Sequence, residues 1–129
     1  MKSNEKKVLI IEDDPFIADV YVLKLESEGY DVETAEDGII GLEKLKKNKY
    51  DIILLDILMP NLDGFKVLER IKMNPEVSKI PVVILTNLSQ KKDIQKGLDL
   101  GATDYIIKTK FTPTEVVKTI NKVLETNKS

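Results

Sequence analysis

Residues 51–64 read DIILLDILMPNLDG. Four apolar residues, 52–55, run straight into Asp56, and Ile57, Leu58 and Met59 follow it. A short, continuous apolar run is the pattern of a strand covered on both faces. Asp63-Gly64 then opens a helix carrying Phe65, Leu68 and Ile71, which Asn74-Pro75 closes. The stretch is therefore a strand, a loop and a helix start. An unpaired carboxylate in apolar surroundings costs free energy. Asp56 is accordingly expected at the exit of the strand, where its side chain reaches a surface cleft.

The same unit recurs outward in both directions. KVLII (7–11), DVET (31–34), DIILLD (51–56), PVVILT (81–86) and DYIIK (104–108) read as strands, rich in Val and Ile. Asp14-Pro15 is an N-cap followed by Pro at N1, and that helix stops near Gly29. Its expected core face is Ile17, Val20, Tyr21 and Leu25. Asp37-Gly38 precedes a helix with Leu42 and Leu45 inward, and 91–100 forms one with Ile94 and Leu98 inward and Gly101 as C-terminal cap. Thr112-Pro113-Thr114-Glu115 is a capping box, and the helix behind it buries Val116, Val117, Ile120, Val123 and Leu124. Five βα units imply an α/β fold: a parallel sheet, right-handed crossovers and helices on both faces. One domain spanning 1–129, with a core over about 6–126 and no room for an output domain, is expected.

Composition excludes several chemistries. With no cysteine there is no disulfide, thiolate metal site or cysteine nucleophile, which suits a cytoplasmic protein. With no histidine, neither a Ser-His-Asp triad nor a His-ligated metal can be built. Twenty basic and 22 acidic residues give a net charge of -2, so no direct contact with nucleic acid is expected. Lys44, Lys46, Lys47 and Lys49 read as a solvated helix end. The apolar run after the charged start MKSNEKK is too short for a signal peptide or a membrane span.

Function in an open parallel sheet collects at the carboxyl ends of the strands. Here those ends carry Glu12-Asp13-Asp14, Asp56, Thr86-Asn87 and Lys108. If Glu12, Asp13 and Asp56 converge, each close pair repels by roughly 3–4 kcal/mol at ~4–5 Å and an effective dielectric near ~20. One lysine does not neutralise three carboxylates; a divalent cation with oxygen ligands, Mg²⁺, does. Screened in this way, Asp56 can serve as a carboxylate nucleophile toward a phosphoryl group, with Thr86 and Lys108 on the phosphoryl oxygens.

At these residues the chain resembles the receiver domains of bacterial two-component response regulators. VLIIEDDPFI, DIILLDILMPNLDGFKVLERIK, IPVVILTN and LGATDYIIK occur in the family's order and spacing along essentially the full length. The resemblance implies a flavodoxin-like doubly wound sheet of order 2-1-3-4-5. It implies Asp56 as phosphoacceptor, Glu12 and Asp13 as the acidic pair, and Asp13 as the direct Mg²⁺ ligand. The main-chain carbonyl of Leu58 would be the remaining protein ligand, with Asp14 only a cap. Thr86 matches the switch hydroxyl, Tyr105 the switch aromatic and Lys108 the phosphate-pairing lysine. The donor would be a phosphohistidine on a sensor kinase or phosphotransfer protein. The output would be a changed surface of helix four, strand five and helix five, meeting a downstream effector protein. The protein would be a monomer or a phosphorylation-dependent dimer, a signalling domain that assists its own phosphorylation and dephosphorylation. Two positions depart from the pattern. Thr109 stands where the family usually has Pro, often with a cis bond before it, and Asn87 where it more often has a small residue such as Ala.

Three other readings compete. A phosphatase or phosphotransferase of the haloacid-dehalogenase type needs a second Asp two residues after the nucleophile, where this chain has Leu58. A flavin-binding module needs a phosphate-cradling loop after strand one, where EDDPF is acidic. A receiver-like adaptor that is never phosphorylated has no need of the intact acidic set.

Overall fold

A computed structural model describes residues 5–126. The polar residues expected after the last helix, and most of the charged start, lie outside them. Five strands, β1 (Lys7–Ile11), β2 (Asp31–Ala35), β3 (Ile52–Leu55), β4 (Val82–Thr86) and β5 (Asp104–Ile107), alternate with α1 (Pro15–Ser27), α2 (Gly38–Lys47), α3 (Gly64–Met73), α4 (Lys91–Asp99) and α5 (Pro113–Thr126). All neighbouring strands are parallel, in the order β2-β1-β3-β4-β5.

Strand alternation divides the core in two. Leu9, Ile11, Ile53, Leu55, Val82 and Ile84 face one side, under α2 and α3. Val8, Ile10, Ile52, Leu54, Val83 and Leu85 face the other, under α1 and α5. Covering both faces is what permits the uninterrupted apolar strands. The helix starts form as their sequences direct. Asp14 accepts from the Phe16 and Ile17 amides, Asp37 from Ile40 and Asp63 from Lys66. Thr112 and Glu115 exchange reciprocal bonds of 3.1 and 2.8 Å. Gly101 has φ +109°, the left-handed conformation expected of a C-terminal cap.

Two expected core residues are not in the core. Val20 is 49% exposed and Leu98 42% exposed, while Ala18 and Gly97 are buried in α1 and α4. In α1 the cause is visible in the sequence: the helix is apolar on both faces, so periodicity does not choose between them. Phe16, Val20 and Leu23, at helical spacing, form an outward apolar stripe opposite Tyr21 and Leu25. In α4 the approach to the sheet is too close for a side chain, and Gly97 occupies the contact. Strand five ends one residue early, and Lys108 begins a single 3₁₀ turn, Lys108–Lys110. The Lys108–Thr109 peptide is trans.

Candidate functional site

The chain leaves β1 for the edge strand β2, then returns past β1 to β3 on its other side. The crevice at this reversal opens above the carboxyl ends of β1 and β3. Glu12 and Asp13 follow the first strand and Asp56 follows the second, its amide donating to the Ile11 carbonyl at 3.0 Å. The loop after Asp56 turns back sharply. Pro60 and Asn61, the latter at φ +70°, bend it, and the Leu62 amide closes on the Pro60 carbonyl. It then passes so near Asp56 that a Cβ on Gly64 would lie 2.2 Å from the Asp56 carbonyl oxygen. Asp63-Gly64 is thus a cap followed by a residue that must lack a side chain.

Asp56 is only 5% exposed and forms the floor of the crevice. Its surroundings resolve the apparent cost of burying it. Lys108 Nζ donates to Asp56 Oδ2 at 2.9 Å, and the Leu58 amide to Oδ1 at 3.2 Å. The same ammonium reaches Glu12 Oε1 at 2.5 Å. The other Glu12 oxygen accepts from the Asp14 amide at 3.0 Å. Burial pushes the Glu12 carboxyl above its ordinary value, against the lowering effect of Lys108. Burial lowers the Lys108 ammonium, but its bonds to both carboxylates outweigh that and its pKa is raised.

Glu12, Asp13 and Asp56 each bring a carboxylate oxygen within 4.8 Å of the others. Opposite oxygens on a Mg²⁺ ion lie about 4.2 Å apart, from a metal–oxygen distance of about 2.1 Å. At most one pair of the three can lie opposite, the others being adjacent at about 3.0 Å, so the group fits a small, hard divalent cation once the carboxylates draw in around it. Asp13 is exposed, and its carboxylate has no hydrogen bond among the described residues, whereas Glu12 is held at both oxygens. Three carboxylates against one ammonium leave the site with excess negative charge. A cleft of about 140 Å³ lined by Glu12, Asp13 and Asp19 adjoins it. A larger cavity of about 630 Å³ lies at the opposite end of the sheet, beside Tyr50 and Val77, away from this chemistry.

The remaining expected residues stand on the β4 and β5 side. Thr86 ends β4 fully buried, its hydroxyl oxygen accepting from the Leu88 amide at 3.4 Å. Tyr105 stands in β5 with its ring turned inward, its hydroxyl donating to the Leu88 carbonyl at 2.6 Å. Burial pushes its phenol up to about 12. Leu88 is therefore held at its amide by the threonine and at its carbonyl by the tyrosine. Asn87 is exposed. Leu58, whose carbonyl was expected as a metal ligand, turns its side chain outward. Sequence reasoning missed the two-sided grip on Leu88 and the outward stripe of α1, because neither follows from residue type.

Comparison with known proteins gives one answer throughout. The family model "Response regulator receiver domain" matches residues 8–121. The response regulator ArlR of Staphylococcus saprophyticus is 44% identical over 102 residues, 79% of this chain and 45% of that protein. The DNA-binding dual master transcriptional regulator RpaA of Synechocystis sp. is 43% identical over 79% of this chain and 42% of its own length. The chain thus spans less than half the length of these two relatives. Among solved structures, the receiver domain of Francisella response regulator 1452 has a TM-score of 0.89 and 33% identity, covering 96% of this chain and 100% of that one. The chemotaxis response regulator CheY4 of Vibrio cholerae has a TM-score of 0.87 and 32% identity, covering 93% and 99%. The carboxylates at the strand reversal, their lysine and the doubly wound sheet therefore sit in a chain that belongs to the response regulator receiver domain family.

Proposed function

We propose that the protein is a phosphorylation-activated switch of a two-component pathway, with Asp56 as its phosphoryl acceptor. One observation carries the reading: Lys108 bridges Asp56 and Glu12 while three carboxylates converge within 4.8 Å. In the transfer, an Asp56 oxygen attacks phosphorus on a partner's phosphohistidine. The P–N bond breaks, its electron pair stays with the imidazole, and an acyl phosphate forms on Asp56. Glu12, Asp13, Asp56 and the Leu58 carbonyl would hold a Mg²⁺ ion, which supplies positive charge toward the phosphoryl oxygens. Lys108 keeps its bond to Glu12 and pairs a phosphoryl oxygen. Thr86 turns its hydroxyl from Leu88 toward the new group.

Two surfaces serve partners. The apolar stripe Phe16, Val20 and Leu23 starts two residues beyond the Asp14 cap, at the rim of the crevice, and suits the docking of a phosphodonor protein. The face formed by α4, β5 and α5 lies over Tyr105 and delivers the output to an effector protein. The test is intact mass after incubation with Mg²⁺ and acetyl phosphate. The wild type gains one phosphate, and Asp56→Asn and EDTA-treated protein gain none. Equal phosphorylation of Asp56→Asn rejects the assignment.

A further inference from the structure

Helix α4 meets the sheet through a residue without a side chain. Gly97 is its one buried residue; Ile94 is half-buried and Leu98 is exposed. A Cβ at Gly97 would lie 2.7 Å from Ile84 Cδ1 and 3.0 and 3.2 Å from Tyr105 Cδ2 and Cε2. Carbon atoms attract best at about 3.5–4.0 Å, so a methyl group there meets repulsion on two sides. The backbone of α4 therefore rests directly on the Tyr105 ring. The far end of that ring is fixed by its bond to the Leu88 carbonyl. The preceding residue, Lys96, holds its ammonium 4.6 Å from the centre of the Phe65 ring, at the start of α3. Residues 96 and 97 thus fix α4 against both the tyrosine and the end of the loop that follows Asp56.

We propose that Gly97 is a positioning residue of the switch: its missing side chain lets α4 seat on the inward ring of Tyr105 and so sets how strongly that ring's position is transmitted to the partner-binding face. The inference rests on the reading of Thr86 and Tyr105 as the switch pair. A larger residue at 97 forces the helix and the ring apart. Either α4 lifts or the ring turns out, and in both cases the Tyr105–Leu88 bond is disturbed.

The sign of a stability change separates this from a passive role. Glycine inside a helix is unfavourable, and replacement by alanine ordinarily raises the folding equilibrium about two- to fivefold. In the unphosphorylated full chain, Gly97→Ala is expected instead to lower that equilibrium several-fold and to move the Tyr105 ring and Leu88 amide resonances. In a Tyr105→Ala background, which removes the ring, the same substitution should recover the ordinary gain. Phosphorylation of Asp56 by acetyl phosphate should stay within about twofold of wild type, because residue 97 is outside the pocket. The proposal is overturned if Gly97→Ala raises the folding equilibrium in the Tyr105 protein and leaves the Tyr105 and Leu88 resonances unmoved. A wild type that takes no phosphate would reject the switch reading itself. The stability and resonance results would still decide whether α4 seats on the ring through Gly97.

Discussion

Lys108 is the side chain on which the charge balance of the pocket turns. It is nearly buried between Glu12 and Asp56, whose side chains are also nearly buried. Removing one partner from such an arrangement leaves uncompensated buried charge and costs about 3–5 kcal/mol. Lys108→Met should therefore lower unfolding free energy by about that amount in EDTA, and Mg²⁺ should restore part of it. Urea unfolding with and without Mg²⁺ checks this; a variant as stable as wild type in EDTA contradicts it. Leu58 bears on a different property. Hydrolysis of an acyl phosphate needs a water in line with the bond, which a polar side chain can orient. Leu58 offers no hydrogen bond and stands 53% exposed at the rim. Leu58→Asn should shorten the lifetime of the phosphorylated protein several-fold, read as phosphate release. An unchanged or longer lifetime contradicts this role. At this scale the sequence was informative about Asp56, Glu12, Asp13 and Lys108 because strand ends in a parallel sheet share one edge. It could not reveal that Glu12 is doubly held, since that depends on the turn taken by the Asp14 amide.

The elements were legible wherever a boundary has a chemical marker. Asp14-Pro15, Asp37-Gly38, Asp63-Gly64 and the Thr112–Glu115 box all start helices as read, because each cap satisfies amides that the helix itself leaves free. Facing was less legible. α1 is apolar on two sides, and α4 packs through backbone, so Val20 and Leu98 were assigned to the core wrongly. A second feature joins three strands at the far end of the sheet. The Tyr50 hydroxyl donates to Glu33 Oε1 at 2.5 Å, and Lys7 Nζ lies 3.1 Å from Glu33 Oε2. The Lys7 amide donates to Asp51 at 2.8 Å. The Tyr50 bond first, and Lys7 second, hold the Glu33 carboxyl below its ordinary 4.5. A carboxyl depressed in the folded state stabilises it above the unfolded value and loses that contribution as pH falls through the folded value. Tyr50→Phe should therefore cost stability at pH 7, and the cost should shrink as pH falls from 4.5 through the lower value at which Glu33 protonates in the folded protein. Thermal melts of both proteins from neutral to acid pH test this; a gap independent of pH would contradict it.

At the scale of the whole molecule, the doubly wound order brings together residues far apart in the chain. Lys108 and Glu12 are 96 positions apart, and Lys108 and Asp56 are 52 apart. The alternation of apolar strands and capped helices was enough to read the sheet as parallel; the order β2-β1-β3-β4-β5 came from the family resemblance. The route from Thr86 by way of Tyr105 to the face beyond came from the family resemblance; the part of Leu88, which has no distinguishing chemistry, was not legible. Thr86 holds the amide of that residue and Tyr105 its carbonyl, and α4 rests on the tyrosine. On the proposed reading, a phosphoryl group that draws Thr86 away would act on residues 91–122 through one peptide, and a partner bound there and the phosphoryl group would reinforce each other. The most direct test is amide NMR with Mg²⁺ and beryllofluoride as the phosphoryl stand-in, on wild type and Thr86→Ala. Wild type should shift both around Asp56 and across residues 91–122, whereas Thr86→Ala should keep the first set and lose most of the second. Equal responses over 91–122 in the two proteins would contradict the account.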